Sequence, residues 1–132
     1  MLRKIHIKTN DKVELIDITG KVKTVLSESG VKEGTMFIYT PHTTAGITIN
    51  ENADPDVVSD IINEINKIVP FNDDYSHREG NSAAHIKSSL FGVSETVIIN
   101  ERNLVLGTWQ GIYFCEFDGS RQRTIYVKII ED

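Results

Sequence analysis

The sequence predicts an α+β fold, a single domain of mainly antiparallel sheet with one long helix and one or two short helices. Three observations predict it. Short segments rich in β-forming residues recur between turns, and one strongly amphipathic stretch begins near residue 55. A chain of 132 residues, 39% of them hydrophobic and 25% charged, also suffices for one buried core. No linker or repeat divides the chain, so we expect one domain over residues 1–132.

The first elements resemble a strand pair. Ile5 and Ile7 alternate with polar neighbours, Asn10-Asp11 is typical of a turn, and residues 13–18 form a second apolar run. This pattern predicts an opening hairpin. Thr19 then stands where a helix cap is expected.

A short helix should follow Thr19, with Val22, Val25 and Leu26 on one face and Gly30 at its end. Residues 35–40 and 46–50 are rich in β-formers and predict two strands on either side of His42.

The longest helix is predicted from Pro55 to Val69. Asp54 suits the N-cap, Pro55 suits the first helical position, and Pro70 ends the helix. Apolar residues recur between them at spacings of three and four, which indicates one buried face. The second half of the chain then predicts a helix ended by Gly92 and four strands. These elements span residues 82–90, 95–99, 104–106, 112–117 and 124–130.

Composition limits the partners. A net charge of −5 argues against a general nucleic-acid binder, which needs a basic face for phosphates. No apolar run approaches the ~18 residues of a membrane span, so we expect no membrane partner either. The single cysteine, Cys115, excludes an internal disulfide, fits a reducing cytoplasm, and is expected to be a small buried residue.

Three of the four histidines lie in polar segments. His42 precedes Thr43 and Thr44 between two predicted strands, and His77 and His85 flank a loop-to-helix junction. Imidazole binds metals, moves protons near neutral pH and hydrogen-bonds phosphate. These histidines therefore suggest a site, although an exposed turn and a solvent-facing loop would explain them too.

Two ligands fit this pattern. His42, His77 and His85 in neutral form could hold a divalent metal, zinc or magnesium, with an open position for water or substrate. Alternatively, a phosphate could lie near the start of the helix predicted over residues 82–90, held by His85 and Lys87.

The sequence leaves the roles of several other side chains undecided. Trp109, between two glycines, is expected to plug the core, whereas the amide of Gln110 is a candidate ligand group. Glu116 is an acid or base if its pKa is raised, or else the ion-pair partner of Arg121 or Arg123. Glu51 has no local structural duty and stays a candidate.

Long ordered motifs resemble the YjbQ family. They cover nearly the whole chain and comprise His42-Thr43-Thr44-Ala45-Gly46-Ile47, Asn50-Glu51-Asn52-Ala53-Asp54-Pro55-Asp56-Val57, His77, Glu79-Gly80-Asn81, Ala84-His85-Ile86-Lys87-Ser88-Ser89-Leu90, Leu106-Gly107-Thr108-Trp109-Gln110 and Glu116-Phe117-Asp118-Gly119. The chain departs from the family pattern at three positions, one of which is Arg102 in place of a usual turn glycine.

The resemblance implies a β-rich α+β sandwich that assembles as a homotrimer, with a histidine pocket near a subunit boundary. It implies a secondary thiamine-phosphate synthase, which joins a pyrimidine methyl diphosphate to a thiazole phosphate. The catalytic residues would be His42, His77, His85 and Glu116. The substrate-binding residues would be Thr43, Thr44, Glu51, Asn81, Lys87, Gln110 and Arg121.

Two other functions fit the same residues. One is a metal-dependent hydrolase of a small phosphorylated compound. The other is a non-catalytic trimer that binds a small anionic metabolite.

Overall fold

The computed structural model describes all residues from 1 to 132 and contains eight strands and three helices. The strands are β1 (Leu2–Lys8), β2 (Glu14–Asp17), β3 (Gly34–Tyr39), β4 (Ala45–Glu51), β5 (Ser94–Asn100), β6 (Asn103–Leu104), β7 (Gln110–Glu116) and β8 (Gln122–Glu131). The helices are α1 (Thr19–Ser29), α2 (Pro55–Ile68) and α3 (Ser82–Phe91). The α+β class with one long and two shorter helices is confirmed.

The strands form two antiparallel sheets. One has five strands in the order β1-β8-β3-β5-β6, and the other has three in the order β2-β7-β4. A core of 17 buried apolar residues draws on both sheets and on α1. In β8 the alternation predicted from sequence holds, because Ile125, Val127 and Ile129 are all buried. The two layers enclose the core as a sandwich.

The opening hairpin predicted from sequence is wrong. β1 pairs with β8 in the five-stranded sheet, whereas β2 pairs with β7 in the three-stranded sheet. The segment around Asn10-Asp11 therefore carries the chain from one sheet to the other. Burial explains why β1 and β2 enter different sheets, since Ile7 lies in the main core while Leu15 packs on a second apolar cluster.

Helix α1 is confirmed, with Val22, Val25 and Leu26 buried and Gly30 in the left-handed conformation at its end. The prediction that Thr19 caps it is wrong. Asp17 accepts the backbone N–H of Thr19 through Oδ1 at 2.9 Å. The Thr19 hydroxyl instead accepts the N–H of Ile112 at 2.8 Å, which ties the helix start to β7.

Helix α2 begins as predicted, because the Asp54 side chain accepts the N–H of Asp56 at 2.9 Å. It and α3 lie on the side of the three-stranded sheet away from the main core, where Ala84 and Val58 pack near Cys115. Cys115 is fully buried, as expected. No helix is both long and apolar enough to cross a membrane.

The register of β4 and β7 defines two ends of the three-stranded sheet. At one end Ala45 pairs with Glu116, and at the other, called the far end below, Glu51 pairs with Gln110. The two pairs are six residues apart, or about 20 Å at the usual rise of a strand. The segments that carry His42 and Arg121 adjoin the end at which Ala45 pairs with Glu116.

Candidate functional site

The three histidines predicted from sequence line a single pocket. Its volume is about 380 Å³, and no hydrophobic side chain lines it. Four separate segments contribute: the β3–β4 loop, the loop before α3, the first turn of α3 and the start of β8. The lining residues are Pro41, His42, Thr43, Thr44, His77, Glu79, Asn81, His85, Arg121 and Arg123.

His42 is held by the backbone of β8. Its Nε2 accepts the N–H of Thr124 at 3.0 Å, which leaves Nδ1 as the nitrogen that faces a ligand. Partial burial lowers the pKa of His42, and the charges of Arg123 and Arg121 lower it further against the opposing effect of Glu116. The ring is therefore neutral at physiological pH, and because Nε2 is the acceptor its proton lies on Nδ1, which can donate a hydrogen bond to a ligand.

His77 and His85 lie beside each other. Their ring centroids are 5.5 Å apart and the rings meet edge to face. His85 projects from the first turn of α3, whereas His77 is exposed on the preceding loop. The same two rings also border a second cavity of about 390 Å³, to which Tyr75 and Ile86 add an apolar wall.

A buried ion pair forms the floor of the pocket. Arg123 donates from Nε to Glu116 Oε1 at 2.8 Å, and its Nη2 contacts Glu116 Oε2. Nη2 also donates to the hydroxyl of Thr44 at 2.9 Å, and Thr9 donates to Glu116 at 2.7 Å. These bonds use Nε and Nη2 and leave Nη1 of Arg123 for a ligand.

Burial alone would raise the pKa of Glu116. The hydrogen bonds from Arg123, from the N–H of Asp118 and from Thr9 outweigh it, so the pKa is lowered. The hypothesis of an acid or base with a raised pKa is therefore wrong, and the alternative of an ion pair with Arg123 is confirmed. Glu116 positions Arg123.

Sequence reasoning gave Arg123 only a structural role. Its position in β8 could have indicated a role in the site, because residue 123 shares a face with Ile125, Val127 and Ile129. A guanidinium on the core face of a strand needs a buried partner, and an arginine fixed in this way is typical of an anion site.

Asp118 holds two other lining residues in place. It accepts from Arg121 Nη2 and from Asn81 Nδ2, both at 3.0 Å. Asn81 is the N-cap residue of α3, but its side chain does not cap the helix. Its Oδ1 is buried without a partner.

Three residues predicted for the site lie elsewhere in the chain. Glu51 and Gln110 pair at the far end of the sheet. Lys87 is fully buried under α3, with Nζ 2.5 Å from Asn66 Oδ1 and 3.8 Å from the ring centroid of Phe71. Burial, and then the charge of Lys12, lowers the pKa of Lys87 to about 8. Because position 87 faces the opposite side of α3 from His85, its ammonium does not reach the pocket.

Trp109 does not plug the core. Its side chain is 62% exposed at the far end. The main core is already closed there by Ile112 and Ile49, so the indole remains outside.

The donors suit zinc chemically, since His42, His77 and His85 offer the nitrogen ligands that it prefers. His42 would bind a metal only after its Nε2 lone pair is released from the Thr124 N–H, because Nδ1 carries the proton of the neutral ring. As the side chains are placed, no three His, Cys, Asp or Glu residues are grouped closely enough to share an ion.

Comparison with known proteins gives a consistent result. Residues 3–132 match the family model described as UPF0047 protein YjbQ-like. The chain is 60% identical over 132 residues to a UPF0047 protein of Methanocaldococcus jannaschii, covering 100% of this chain and 96% of that protein. It is 53% identical to YugU, a UPF0047 protein of Bacillus subtilis, with 98% and 99% of the two chains covered.

Solved structures of similar proteins have the same fold as this chain. An uncharacterized conserved protein of the yjbq/upf0047 family from Clostridium acetobutylicum superposes with a TM-score of 0.96 at 55% identity, covering 97% of this chain and 99% of the other. A YbjQ-like protein of unknown function from Sulfolobus solfataricus gives 0.96 at 32% identity, covering 100% and 97%.

Proposed function

The chain belongs to the YjbQ-like UPF0047 family, and from this premise we propose that it is a thiamine-phosphate synthase-like transferase acting on small phosphorylated molecules. One observation carries the proposal: three imidazoles and two guanidinium groups line the same pocket. Such a set binds phosphate oxygens and moves protons.

The reaction joins two substrates. The thiazole ring nitrogen attacks the methylene carbon of the pyrimidine methyl diphosphate and forms a C–N bond. The C–O bond to the diphosphate breaks, and its electron pair leaves with pyrophosphate. The charge that develops on the leaving oxygens must be stabilised by fixed donors.

The pocket supplies donors of this kind. Nη1 of Arg123 is fixed by the Glu116 pair, and Arg121 is fixed by Asp118, so neither guanidinium must reorganise during the reaction. The Thr43 hydroxyl is available to donate to the same oxygens, whereas the amide nitrogen of Asn81 already donates to Asp118 and Glu79. The neighbouring cavity with Tyr75 and Ile86 offers an apolar wall against which an aromatic ring can pack.

A divalent metal is part of this proposal. Zinc held by His42, His77 and His85 would supply positive charge to phosphate oxygens when bound. The chain's own groups act in either case: the guanidiniums orient the phosphate, and neutral His42 donates a hydrogen bond from Nδ1 to it.

The test is product formation. Purified untagged protein with Mg²⁺ or Zn²⁺ should form thiamine phosphate from the two substrates, and the gene should rescue a strain that lacks thiamine-phosphate synthase. His85→Gln should abolish both, while His6→Gln should keep both, because His6 lies outside the pocket. Absence of product and of rescue with the unmodified protein would refute the proposal.

A second candidate is a metal-dependent hydrolase of a small phosphorylated compound. It is favoured by the mainly polar lining of the histidine pocket, which suits a phosphate ester better than a ring. Release of inorganic phosphate, with metal in stoichiometric amount in the untagged protein, would support it. Binding that stabilises the protein without turnover would instead support a non-catalytic binder.

We also propose that the chain assembles as a homotrimer. The outer face of the five-stranded sheet exposes large apolar side chains, among them Leu2, Phe37, Tyr39, Ile98 and Ile130. Exposed apolar patches of this kind mark protein contacts. Light scattering should give a mass three times that of the chain, and a monomer would contradict it.

A further inference from the structure

A separate cavity lies between the second half of α1 and the two-residue turn that joins β5 to β6. Its volume is about 350 Å³, and it shares no lining residue with the histidine pocket. Leu26 and Val31 are buried in its wall, and Leu104 is half-buried beside them. Small-molecule sites have volumes of about 300–1,000 Å³ and combine an apolar wall with a few polar groups. The cavity therefore has the size and the wall that a small organic molecule needs.

The charged groups of this cavity are both cations. Lys23 and Arg102 line it together with Ser27, and no carboxylate does. Neither cation takes part in any of the chain's three ion pairs. The charge of Lys23 acts on Asp17 and helps to lower the pKa of that carboxyl, but Asp17 lies outside the lining. Two cations thus border the apolar wall without a carboxylate partner in the cavity.

The C-terminal end of α1 does not account for these cations. Its last carbonyls are bonded locally, because the Ser29 hydroxyl donates to the carbonyl of Leu26 at 2.6 Å and the N–H of Gly30 donates to that of Ser27 at 3.4 Å. A helix C-terminus carries about half a negative charge. Two full positive charges outweigh it, so the cavity is electropositive.

Arg102 is held at the cavity by a strained turn. Glu101 and Arg102 have φ of +49° and +67°, in a two-residue hairpin where asparagine and glycine are favoured. The N–H of Arg102 donates to the carbonyl of Lys32 at 3.0 Å, and the N–H of Glu101 donates to Glu33 Oε1 at 3.0 Å. Left-handed residues other than glycine cluster at ligand clamps and active sites. The turn fixes the backbone that presents the guanidinium.

We infer that this cavity binds a small organic anion, with its carboxylate or phosphate head between Arg102 and Lys23 and its body on the apolar wall. The planar guanidinium matches two oxygens of either head, and the lysine adds a point charge. The Ser27 hydroxyl donates a further hydrogen bond to the head. The site is distinct from the histidine pocket and does not depend on the function proposed for it.

Phenylacetate and phenyl phosphate are suitable probes, because they carry the two heads on the same ring. Titration of the ¹⁵N-labelled full chain, followed by NMR, should give saturable shifts of the amides of Ser27, Val31 and Leu104 with at least one probe. The tighter probe identifies the head. Acetate and inorganic phosphate lack the ring, so they should bind there at least tenfold more weakly.

Absence of these shifts with both probes would overturn the inference, and so would shifts confined to the histidine pocket. Binding at this cavity in a chain that binds no pyrophosphate would refute the proposed function and leave the inference standing.

Arg102→Gly tests the guanidinium, because this variant loses the strain of the turn and should fold. It should bind the tighter probe at least tenfold more weakly than the original chain. Arg102→Lys keeps the charge but not the planar fork, so its affinity should lie between the two. The control is Lys21→Met, which removes a cation of α1 outside the cavity and should leave the affinity unchanged. Equal affinity in Arg102→Gly and the original chain would overturn the inference.

Discussion

Loss of either charge of the buried Glu116–Arg123 pair should strongly destabilise the folded chain. The Glu116→Gln variant tests this. Both side chains are almost fully buried, at 0% and 2% exposure. Removing one charge leaves the other buried and unpaired, which costs about 3–5 kcal/mol in comparable pairs. That is a large part of the roughly 5–15 kcal/mol by which domains are stable. For a urea dependence of about 2 kcal/mol per molar, the unfolding midpoint should fall by roughly 2 M.

Equilibrium urea unfolding followed by circular dichroism measures this loss. The matched control is Glu28→Gln, because the Arg3–Glu28 pair has side chains 42% and 51% exposed. An exposed pair contributes at most about 1 kcal/mol, so this variant should unfold close to the original. A loss below about 1 kcal/mol for Glu116→Gln would refute the reasoning about desolvation.

A double variant separates stability from binding. Replacing both partners with methionine removes the buried charges together, and such replacements are close to neutral or stabilising. Glu116→Met with Arg123→Met should therefore fold, yet should no longer bind pyrophosphate, because the fixed guanidinium is gone. A folded double variant that binds as before would contradict the role of Arg123.

The pH dependence follows from the lowered pKa of Glu116. A carboxyl with a lowered folded pKa stabilises the protein above its unfolded pKa, near 4.3, and that contribution is lost as pH falls through the folded pKa. Acid unfolding should therefore be less steep for the double methionine variant than for the original chain.

Three further predictions concern other parts of the fold. Arg102→Gly should raise the stability by about 1 kcal/mol, because Arg102 has φ +67°, a left-handed conformation that suits glycine; an unchanged or lower melting temperature would contradict this. The pKa of Lys87 is lowered to about 8 in the folded chain. Between pH 8 and about 10.4 the unfolded chain therefore binds more protons than the folded chain. The free energy of unfolding should rise by roughly 3 kcal/mol across that range. Lys87→Met should remove this rise, and urea midpoints that rise equally in both proteins would refute it. Gly34→Ala should cost about 1–3 kcal/mol, because the added Cβ would meet the carbonyl oxygen of Ile130; an unaltered midpoint would count against the strand packing.

Much of the fold was predictable because its signals are local. The α2 helix follows from Asp54, Pro55 and three- and four-residue spacing, and the buried face of β8 follows from simple alternation. The opening hairpin failed because strand pairing is not local: β1 and β2 each pair with strands more than 90 residues away.

The site was predictable in part for the same reason. The polar setting of His42, His77 and His85 marked them as site residues, and the structure brings them to one pocket. The role of Arg123 depended on where Glu116 and Thr44 would lie in space, which spacing cannot give. Lys87 was misjudged because it lies two residues beyond His85, a spacing that places the two side chains on opposite sides of a helix.

Calorimetric titration with pyrophosphate tests the central claim, that this pocket binds phosphorylated molecules, most directly. The unmodified chain should bind saturably, and Arg121→Met should bind at least tenfold more weakly, as the loss of a charge-assisted hydrogen bond of about 1.5–3 kcal/mol requires. Arg3→Met, which removes a surface arginine far from the pocket, should bind like the original. No saturable binding by the unmodified chain, or equal affinity in Arg121→Met, would contradict the account.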